Sequence, residues 1–367
     1  MFRAFRLLSL LSFLFPMVAH AVDPEPSFSS LYEIHQHYKV PGLGVASLKI
    51  KEGDRRFRSE VIGVRELGIG SELKPNDSFH LGSCTKSMTA LLIAMAVQEG
   101  KFEYRTSLQE LFPDYEIEPS LKSASLEQLL THTSGIGGES VFNEIDDVGL
   151  LHEIFHERIK EVRARGLLTR EILKVPALSE PGQEIEYGNP AYIILGHLLE
   201  RTYRKSYSEL LQERIFQPLQ MTSCGLGPAL KVFGHKDQIS KFVPLQQDNP
   251  KVYGPAGRVH CSLEDWMKYA ALHLDLHQGR SSLLNPEHVE FLYQPMNSDG
   301  YTRGGWVRLG SDENPVLYFE GSNTLNYAAI LIALHHDRAV AAVSNAGGSV
   351  ARDATQAALR IGTRLDP

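Results

Sequence analysis

The sequence predicts an α/β fold: one antiparallel sheet assembled from both chain ends, flanked by helices, with a mostly helical lobe inserted between them. Three observations predict it. Two strand-like runs joined by a charged turn open the chain. Three or four strand-like runs with tight links close it, followed by a terminal helix. Helical periodicity dominates the middle.

The elements follow in order. Residues 42–49 read as a strand, residues 51–56 as a charged turn and residues 57–64 as its partner, which together make a hairpin. Residues 84–99 read as a mostly buried helix with Ser83 at its first turn. Met88, Leu91, Leu92, Met95 and Ala96 recur at helical spacing, Pro and interior Gly are absent, and Gly100 stands where a helix stops. Residues 126–130 end a helix, and Thr131 to Gly135 form a turn-rich stop in which His132 is read as bonding backbone locally. One amphipathic helix is expected near 148–165, and others at 191–204 and 264–277. Strands are expected at 305–309, 316–319, 327–334 and 339–344, and a final helix at 351–365.

Composition bounds the answer further. The chain has 367 residues, 43% hydrophobic and 22% charged, which is ordinary for a globular protein with a large core. Residues 1–21 read as a secretory signal: Arg3 and Arg6, an apolar run from Leu7 to Val18, and the small-x-small site Ala19-His20-Ala21. Residues 22–367 are then expected to form a single domain with its helical lobe at roughly 80–300, exported to the periplasm or secreted. No later stretch is apolar enough to cross a bilayer, so no stable membrane insertion is expected after cleavage. The formal charge of −7 becomes −9 once Arg3 and Arg6 are removed, which leaves no nucleic-acid footprint. Of the three cysteines, Cys84 is read as buried, and Cys224 and Cys261 are possible disulfide partners.

The chemistry begins at Ser83. Lys86 lies three residues on, on the same helical face, and helical side chains lean toward the N-terminus, which tips its amine back over Ser83. The helix dipole and burial both favour the neutral amine, and a neutral amine can accept a hydroxyl proton. The same spacing recurs at Ser71-Glu72-Leu73-Lys74, but Pro75 disfavours helix there. A second group is Glu186-Tyr187-Gly188-Asn189-Pro190. A phenol beside a lysine can act as a base and an amide can orient a carbonyl, although Asn-Pro is also an ordinary helix start. A third is Phe319-Glu320-Gly321-Ser322-Asn323-Thr324, where Gly lets a substrate lie against a strand edge and the next amide donates to it.

With these three in order, the chain resembles the serine β-lactamase and penicillin-binding-protein superfamily, in its class C-like and esterase-like branch. Connecting phrases carry the resemblance too: Leu130-Thr-His-Thr-Ser-Gly135, Pro181-Gly182, Pro218-Leu-Gln-Met221, and the run from Gly254 to Asp265. The resemblance covers roughly residues 32–365 and implies a β-lactamase/transpeptidase-like fold. It implies that Ser83 is acylated and that Lys86 and Tyr187 share the proton transfers. It makes Asn189 the contact for the acyl amide and the N–H groups of Ser83 and Ser322 the oxyanion hole. Gly321, Ser322 and Asn323 complete the substrate-binding set. The substrate is then a small-molecule or peptide acyl donor, with no cofactor and no metal.

The third motif departs from the family. Where Lys-Thr-Gly or His-x-Gly is usual, this chain has Phe319-Glu320-Gly321. Phe319 cannot hold a substrate carboxylate, and a Glu320 facing one at ~4 Å would cost on the order of 4 kcal/mol at an effective dielectric near 20. Strand alternation could instead turn Glu320 away, and Arg258 or Arg303 could replace the cation. An ester or amide hydrolase, poor toward β-lactams and D-Ala-D-Ala peptides, is therefore expected. A non-catalytic binding protein on the same fold is the alternative. His152-Glu153-Ile154-Phe155-His156 also matches the zinc-protease pattern, with Glu171 and Glu180 as unsupported third ligands. It lies at the margin of the apolar stripe Leu151, Phe155, Ile159, Val162 on a charged helix, so it ranks last.

Overall fold

Both chain ends supply runs of small and β-branched residues, and these pair with each other. The computed structural model describes residues 27–238, 241–245 and 248–365. The expected signal, residues 1–21, lies outside them. The strands in chain order are β1 (Gly42–Lys51), β2 (Asp54–Gly63), β3 (Ser78–His80), β4 (Gly225–Leu226), β5 (Gly234–Gln238), β6 (Lys241–Leu245), β7 (Val259–Ser262), β8 (Val307–Leu309), β9 (Val316–Ser322), β10 (Tyr327–Ala333) and β11 (Arg338–Ser344). The main sheet has the order β2-β1-β11-β10-β9-β8. β1 lies between its hairpin partner and the last strand, with Val45 opposite Glu60 on one side and Ala342 on the other. The opening and closing strands thus share one sheet, as their patterns predict.

Alternation sorts the side chains onto two faces. Ala46, Leu48, Ala341, Val343, Ile330 and Phe319 join the larger core, and Leu43, Val45, Val340, Ala342, Ala329 and Tyr318 join the smaller one. The terminal helix Gly348–Gly362 covers the second face with Ala351, Ala354 and Ala358. Small residues let it lie close: a Cβ on Gly362 would stand 2.3 Å from Val340 Cγ1. The helices Thr85–Gln98 and Leu263–His277 contribute to the core on the first face.

The helix expected near 148–165 is two helices, Val148–Phe155 and Glu161–Ile172. Glu157 adopts φ 57°, and that left-handed residue ends the first of them. Also unforeseen are the three-stranded sheet β3-β7-β4 and the pair β5-β6, whose strands are too short to show a period. Arg165 is fully buried and pins the lobe: its Nε donates to Glu200 (3.0 Å) and its Nη1 to Lys251 O (3.0 Å).

Cys224 and Cys261 are joined in a disulfide that ties the residue before β4 to β7, and Cys84 is free and buried. The two cysteines are 37 residues apart. Closing a loop of that length stabilises by about 4 kcal/mol in the chain-entropy account. Cys224→Ser is expected to lower the urea midpoint by the equivalent of about 2–4 kcal/mol, and a reductant should do the same to the wild type but not to the variant.

Candidate active site

The nucleophile sits on a tethered turn. Leu81 N–H donates to Val259 O (2.8 Å), and Gly82 takes φ 52°. Thr85 Oγ1 donates to Gly82 O (2.7 Å) and accepts from Val259 N–H (3.0 Å). Ser83 lies in the resulting 3₁₀ turn Gly82–Cys84, which runs into the helix Thr85–Gln98. That helix is buried on every side from Thr85 to Ala96, so Lys86 enters the interior with it.

Lys86 is 0% exposed. Its Nζ lies 3.1 Å from Ser83 Oγ, 2.8 Å from Asn189 Oδ1 and 2.9 Å from Ala256 O. Burial lowers its pKa to about 7, while the Glu139 carboxylate pulls the other way. The partner set then dictates the proton arrangement. Asn189 Oδ1 and Ala256 O can only accept. They take both N–H bonds of a neutral amine, and its lone pair is left facing the Ser83 hydroxyl.

Tyr187 closes the other side. Its hydroxyl hydrogen-bonds the Ser83 side chain, and Lys86 Nζ lies 5.0 Å from its ring centroid. The residue is 42% exposed, while its hydroxyl is held against Ser83. Burial is the largest influence on the phenol and drives its pKa up; the Ser83 bond opposes this. The expectation that a phenol beside a lysine acts as a base meets a phenol that burial holds protonated. Lys86 is itself close to neutral, and desolvation of a phenolate outweighs it.

His132, read as a local backbone binder, lies at the back of this group. It is buried at φ 60°, its ring is 4.5 Å from that of Tyr187 and 5.3 Å from that of Tyr301, and burial drives its pKa well below the usual histidine value. It therefore supports Tyr187 as a neutral ring.

Asn189 precedes the helix Pro190–Tyr203, with Pro190 at the first helical position. Its side chain makes no capping bond. The amide instead bridges the site, with Oδ1 on Lys86 and Nδ2 donating to Glu139 Oε1.

The end of β9 forms the opposite wall. A Cβ on Gly321 would stand 2.3 Å from Leu81 O and 2.5 Å from Ser83 N, and one on Gly82 would stand 2.4 Å from Ser322 N. Only glycines at both positions let the two backbones meet. Ser322 is exposed, and its Oγ accepts from Thr324 N–H (3.0 Å). Asn323, expected to line the substrate site, is instead 5% exposed and taken up in the turn: Oδ1 accepts from Leu325 N–H (3.2 Å) and Asn326 Nδ2 (3.1 Å).

Glu320 does not face the groove. It shares the face of Tyr318, whose hydroxyl donates to Oε2 (2.8 Å), and Gln356 Nε2 of the terminal helix donates to the same oxygen (2.8 Å). The repulsion expected from Glu320 therefore gives way to the alternation reading. Neither arginine replaces the missing cation. Arg258 pairs with Asp248 (2.8 Å), and Arg303 with Glu127 (2.8 Å).

His152 and His156 stack at 4.0 Å, with His156 just past the end of its helix. Among the described residues no group of three His, Cys, Asp or Glu is placed to hold a metal ion. Sequence reasoning missed Glu139 and Tyr301. Glu139 opens the short 3₁₀ helix Glu139–Glu144 and Tyr301 sits in an isolated bridge to Val307, and neither is long enough to show a period.

A sheet built from both chain ends, with a Ser–Lys–Tyr cluster where its edge meets a buried helix, belongs to the serine hydrolase superfamily of β-lactamases and penicillin-binding proteins. Within it, the chain belongs to the Beta-lactamase family, whose model matches residues 31–363. Penicillin-binding protein 4 of Amycolatopsis lactamdurans is 26% identical over 258 residues, which are 66% of this chain and 61% of that relative. The octameric penicillin-binding protein homologue from Pyrococcus abyssi superposes with a TM-score of 0.74 at 22% identity, over 92% of this chain and 76% of that one. The D-amino acid amidase from Ochrobactrum anthropi SV3, complexed with L-phenylalanine amide, superposes at 0.70 with 18% identity, over 92% and 97%. These structural likenesses show the fold.

Proposed function

We propose that this protein hydrolyses a neutral ester or amide through an acyl-enzyme on Ser83, and that it is a poor β-lactamase. The observation that carries this is the buried Lys86 amine, with a pKa near 7 and its lone pair directed at Ser83 Oγ. In acylation the Ser83 proton passes to Lys86 Nζ as Oγ bonds to the acyl carbon. The carbonyl oxygen takes the negative charge against the N–H groups of Ser83 and Ser322. Tyr187, protonated and hydrogen-bonded to Ser83, relays the proton to the departing alcohol or amine, and water then releases the acid by the reverse path. Asn189 holds the lysine in place and faces the acyl group.

The substrate class follows from the third motif. With Phe319 in the core and Arg258 and Arg303 each held in an ion pair, none of these three supplies the cation of the usual third motif. A charge-assisted hydrogen bond is worth about 1.5–3 kcal/mol, so its loss costs carboxylate-bearing donors roughly 10- to 100-fold. The amidase with the same fold supports an amide or ester donor. Export is supported by the basic and apolar leader and by the disulfide, which suits an oxidising compartment. Among the described residues no helix is long and apolar enough to cross a membrane.

Short-chain nitrophenyl esters should be turned over with an acyl adduct detectable on Ser83 by intact mass. A chromogenic cephalosporin should react at least about 10-fold less efficiently. Fast cephalosporin turnover would overturn the substrate assignment. A wild type that no acyl probe labels, behaving like Ser83→Ala, would favour the binding-protein reading.

A further inference from the structure

We infer, on the reading of Ser83 as the nucleophile, that His80 and Asp248 are positioning residues: acting through Gly82, they fix the direction in which Ser83 offers its N–H to the oxyanion.

Gly82 needs outside anchors. It stands immediately before the nucleophile at φ 52°, and without a Cβ its two flanking peptide planes have little to restrain them. Each plane is held by one side chain. Gly82 N–H donates to His80 Nδ1 (3.1 Å), which fixes the plane shared with Leu81. Gly82 O accepts from Thr85 Oγ1 (2.7 Å), which fixes the plane shared with Ser83. In a trans peptide the C=O and the following N–H point in opposite directions. With Gly82 O turned toward Thr85, Ser83 N–H is sent to the far side, where the end of β9 passes: a Cβ on Gly321 would stand 2.5 Å from Ser83 N. His80 is carried by β3 and Thr85 by the helix Thr85–Gln98, so the aim of this donor depends on both elements. Without the His80 bond, φ of Gly82 is free to turn and the donor turns with it.

The His80 ring is fixed in turn. It is buried, and an Nδ1 that accepts from Gly82 carries no proton, so the ring proton sits on Nε2. Nε2 lies 2.8 Å from Asp248 Oδ1, and Asp248 Oδ2 accepts from Arg258 Nε (2.8 Å). Burial works to raise the Asp248 pKa, but His80 and Arg258 outweigh it and hold the carboxyl below its ordinary value. A charged acceptor facing Nε2 selects the tautomer that leaves Nδ1 free for Gly82. Arg258 ties this pair to the other half of the catalytic machinery. Two residues before it, Ala256 O accepts from Lys86 Nζ (2.9 Å), and one residue after it, Val259 O accepts from Leu81 N–H (2.8 Å). Asp248 thus joins the segment that anchors the Lys86 amine to the histidine that anchors the Ser83 turn.

The test pairs a spectroscopic arm with a kinetic one. Isotope-edited NMR of the histidine ring nitrogens in the wild type should show His80 with a bare Nδ1 and a protonated Nε2, the signals being assigned by their loss in His80→Asn. A proton on Nδ1 overturns the inference. On 4-nitrophenyl butyrate, His80→Phe should lower kcat by at least about 10-fold, with KM changed by less than about 3-fold, because only the transition-state oxyanion needs the aimed donor. His80→Asn, whose Oδ1 can stand where Nδ1 stood and accept from Gly82, should recover most of kcat. A ring with a merely structural role would lower Tm in both variants and leave kcat unchanged per active site, counted by fluorophosphonate labelling; that result also overturns the inference. Should His80→Phe fail to fold, Asp248→Asn replaces it. Its amide can donate to Nε2 as well as accept, so the Nδ1-protonated tautomer should appear and kcat should fall with it, and a tautomer shift at constant kcat refutes the positioning role. If no ester is hydrolysed and no fluorophosphonate labels wild-type Ser83, the hydrolase reading has failed and takes this role with it. An active wild type whose kcat is indifferent to His80 sinks the positioning role alone.

Discussion

Lys86→Arg is expected to lower kcat/KM for ester hydrolysis by about 10²- to 10⁴-fold, the usual contribution of a general base. A guanidinium stays protonated at every accessible pH, so it has no lone pair to offer Ser83. The effect should not come from lost charge, because burial has already lowered the Lys86 pKa to about 7. In the wild type, the free-amine fraction grows as pH rises past that value. The acylation rate should therefore climb between about pH 6 and 8 and then level off. The variant's residual rate should lack this limb. Tyr187 does not supply it, since its phenol stays protonated across the range. Stability carries the same signature. Between about pH 10.4, the ordinary lysine value, and about pH 7, the unfolded chain binds a proton here that the folded chain does not. Stability at this site therefore falls as pH drops through that window and is constant below it. Lys86→Met should flatten the corresponding slope in Tm against pH. A wild-type rate flat through pH 7, together with a Tm flat between about pH 7 and 10, would contradict the neutral-amine assignment.

Gly321→Ala should be almost as damaging, for a purely steric reason. The new Cβ would stand 2.3 Å from Leu81 O, 2.5 Å from Ser83 N and 2.8 Å from Cys84 N. All three are backbone atoms of a turn tethered to β7, so none can swing aside as a side-chain tip could. The strand end must move away from the nucleophile turn. The Ser322 and Ser83 N–H groups then cease to converge on one oxygen. Losing one such donor costs about 10²- to 10³-fold in kcat. Overpacking of this kind also destabilises by about 1–3 kcal/mol. The discriminating measurement is the pair kcat and Tm on short esters. Unchanged kcat in a folded variant would show that the two backbones need not touch for catalysis.

Much of the site can be read along the chain because it depends on local spacing. Ser83 and Lys86 are three residues apart on a helix without Pro or interior Gly, and three residues on a helix means contact wherever the helix lies. The contrast at Ser71 to Lys74 holds in the structure: Glu72 makes an isolated bridge to Val64 and no helix forms. The direction of Glu320 was also within reach of alternation, but only once the strand's two faces had been assigned to two cores. Asn189 shows the opposite limit. Its sequence neighbours make it a helix start, and the helix does start there, yet its side chain spans the site, bonded to Lys86 and Glu139 and not to the helix N–H groups. Asn323 went the other way, from expected substrate contact to turn residue, because adjacent amides at 325 and 326 satisfy it locally.

By itself, then, the sequence determined the sheet drawn from both ends, the buried helix and the amine poised over Ser83, since each follows from periodicity or short-range spacing. Only the tertiary structure decided which distant groups meet that amine. The ring of His132 behind Tyr187, the bridge from Lys86 through Asn189 to Glu139, and the commitment of Arg258 and Arg303 elsewhere all depend on loops brought together by packing. Loop contacts of this kind carry no repeat along the chain. Charge and protonation followed the same division: a lysine's identity is local, but whether it holds its proton depends on how completely the rest of the fold excludes water from it.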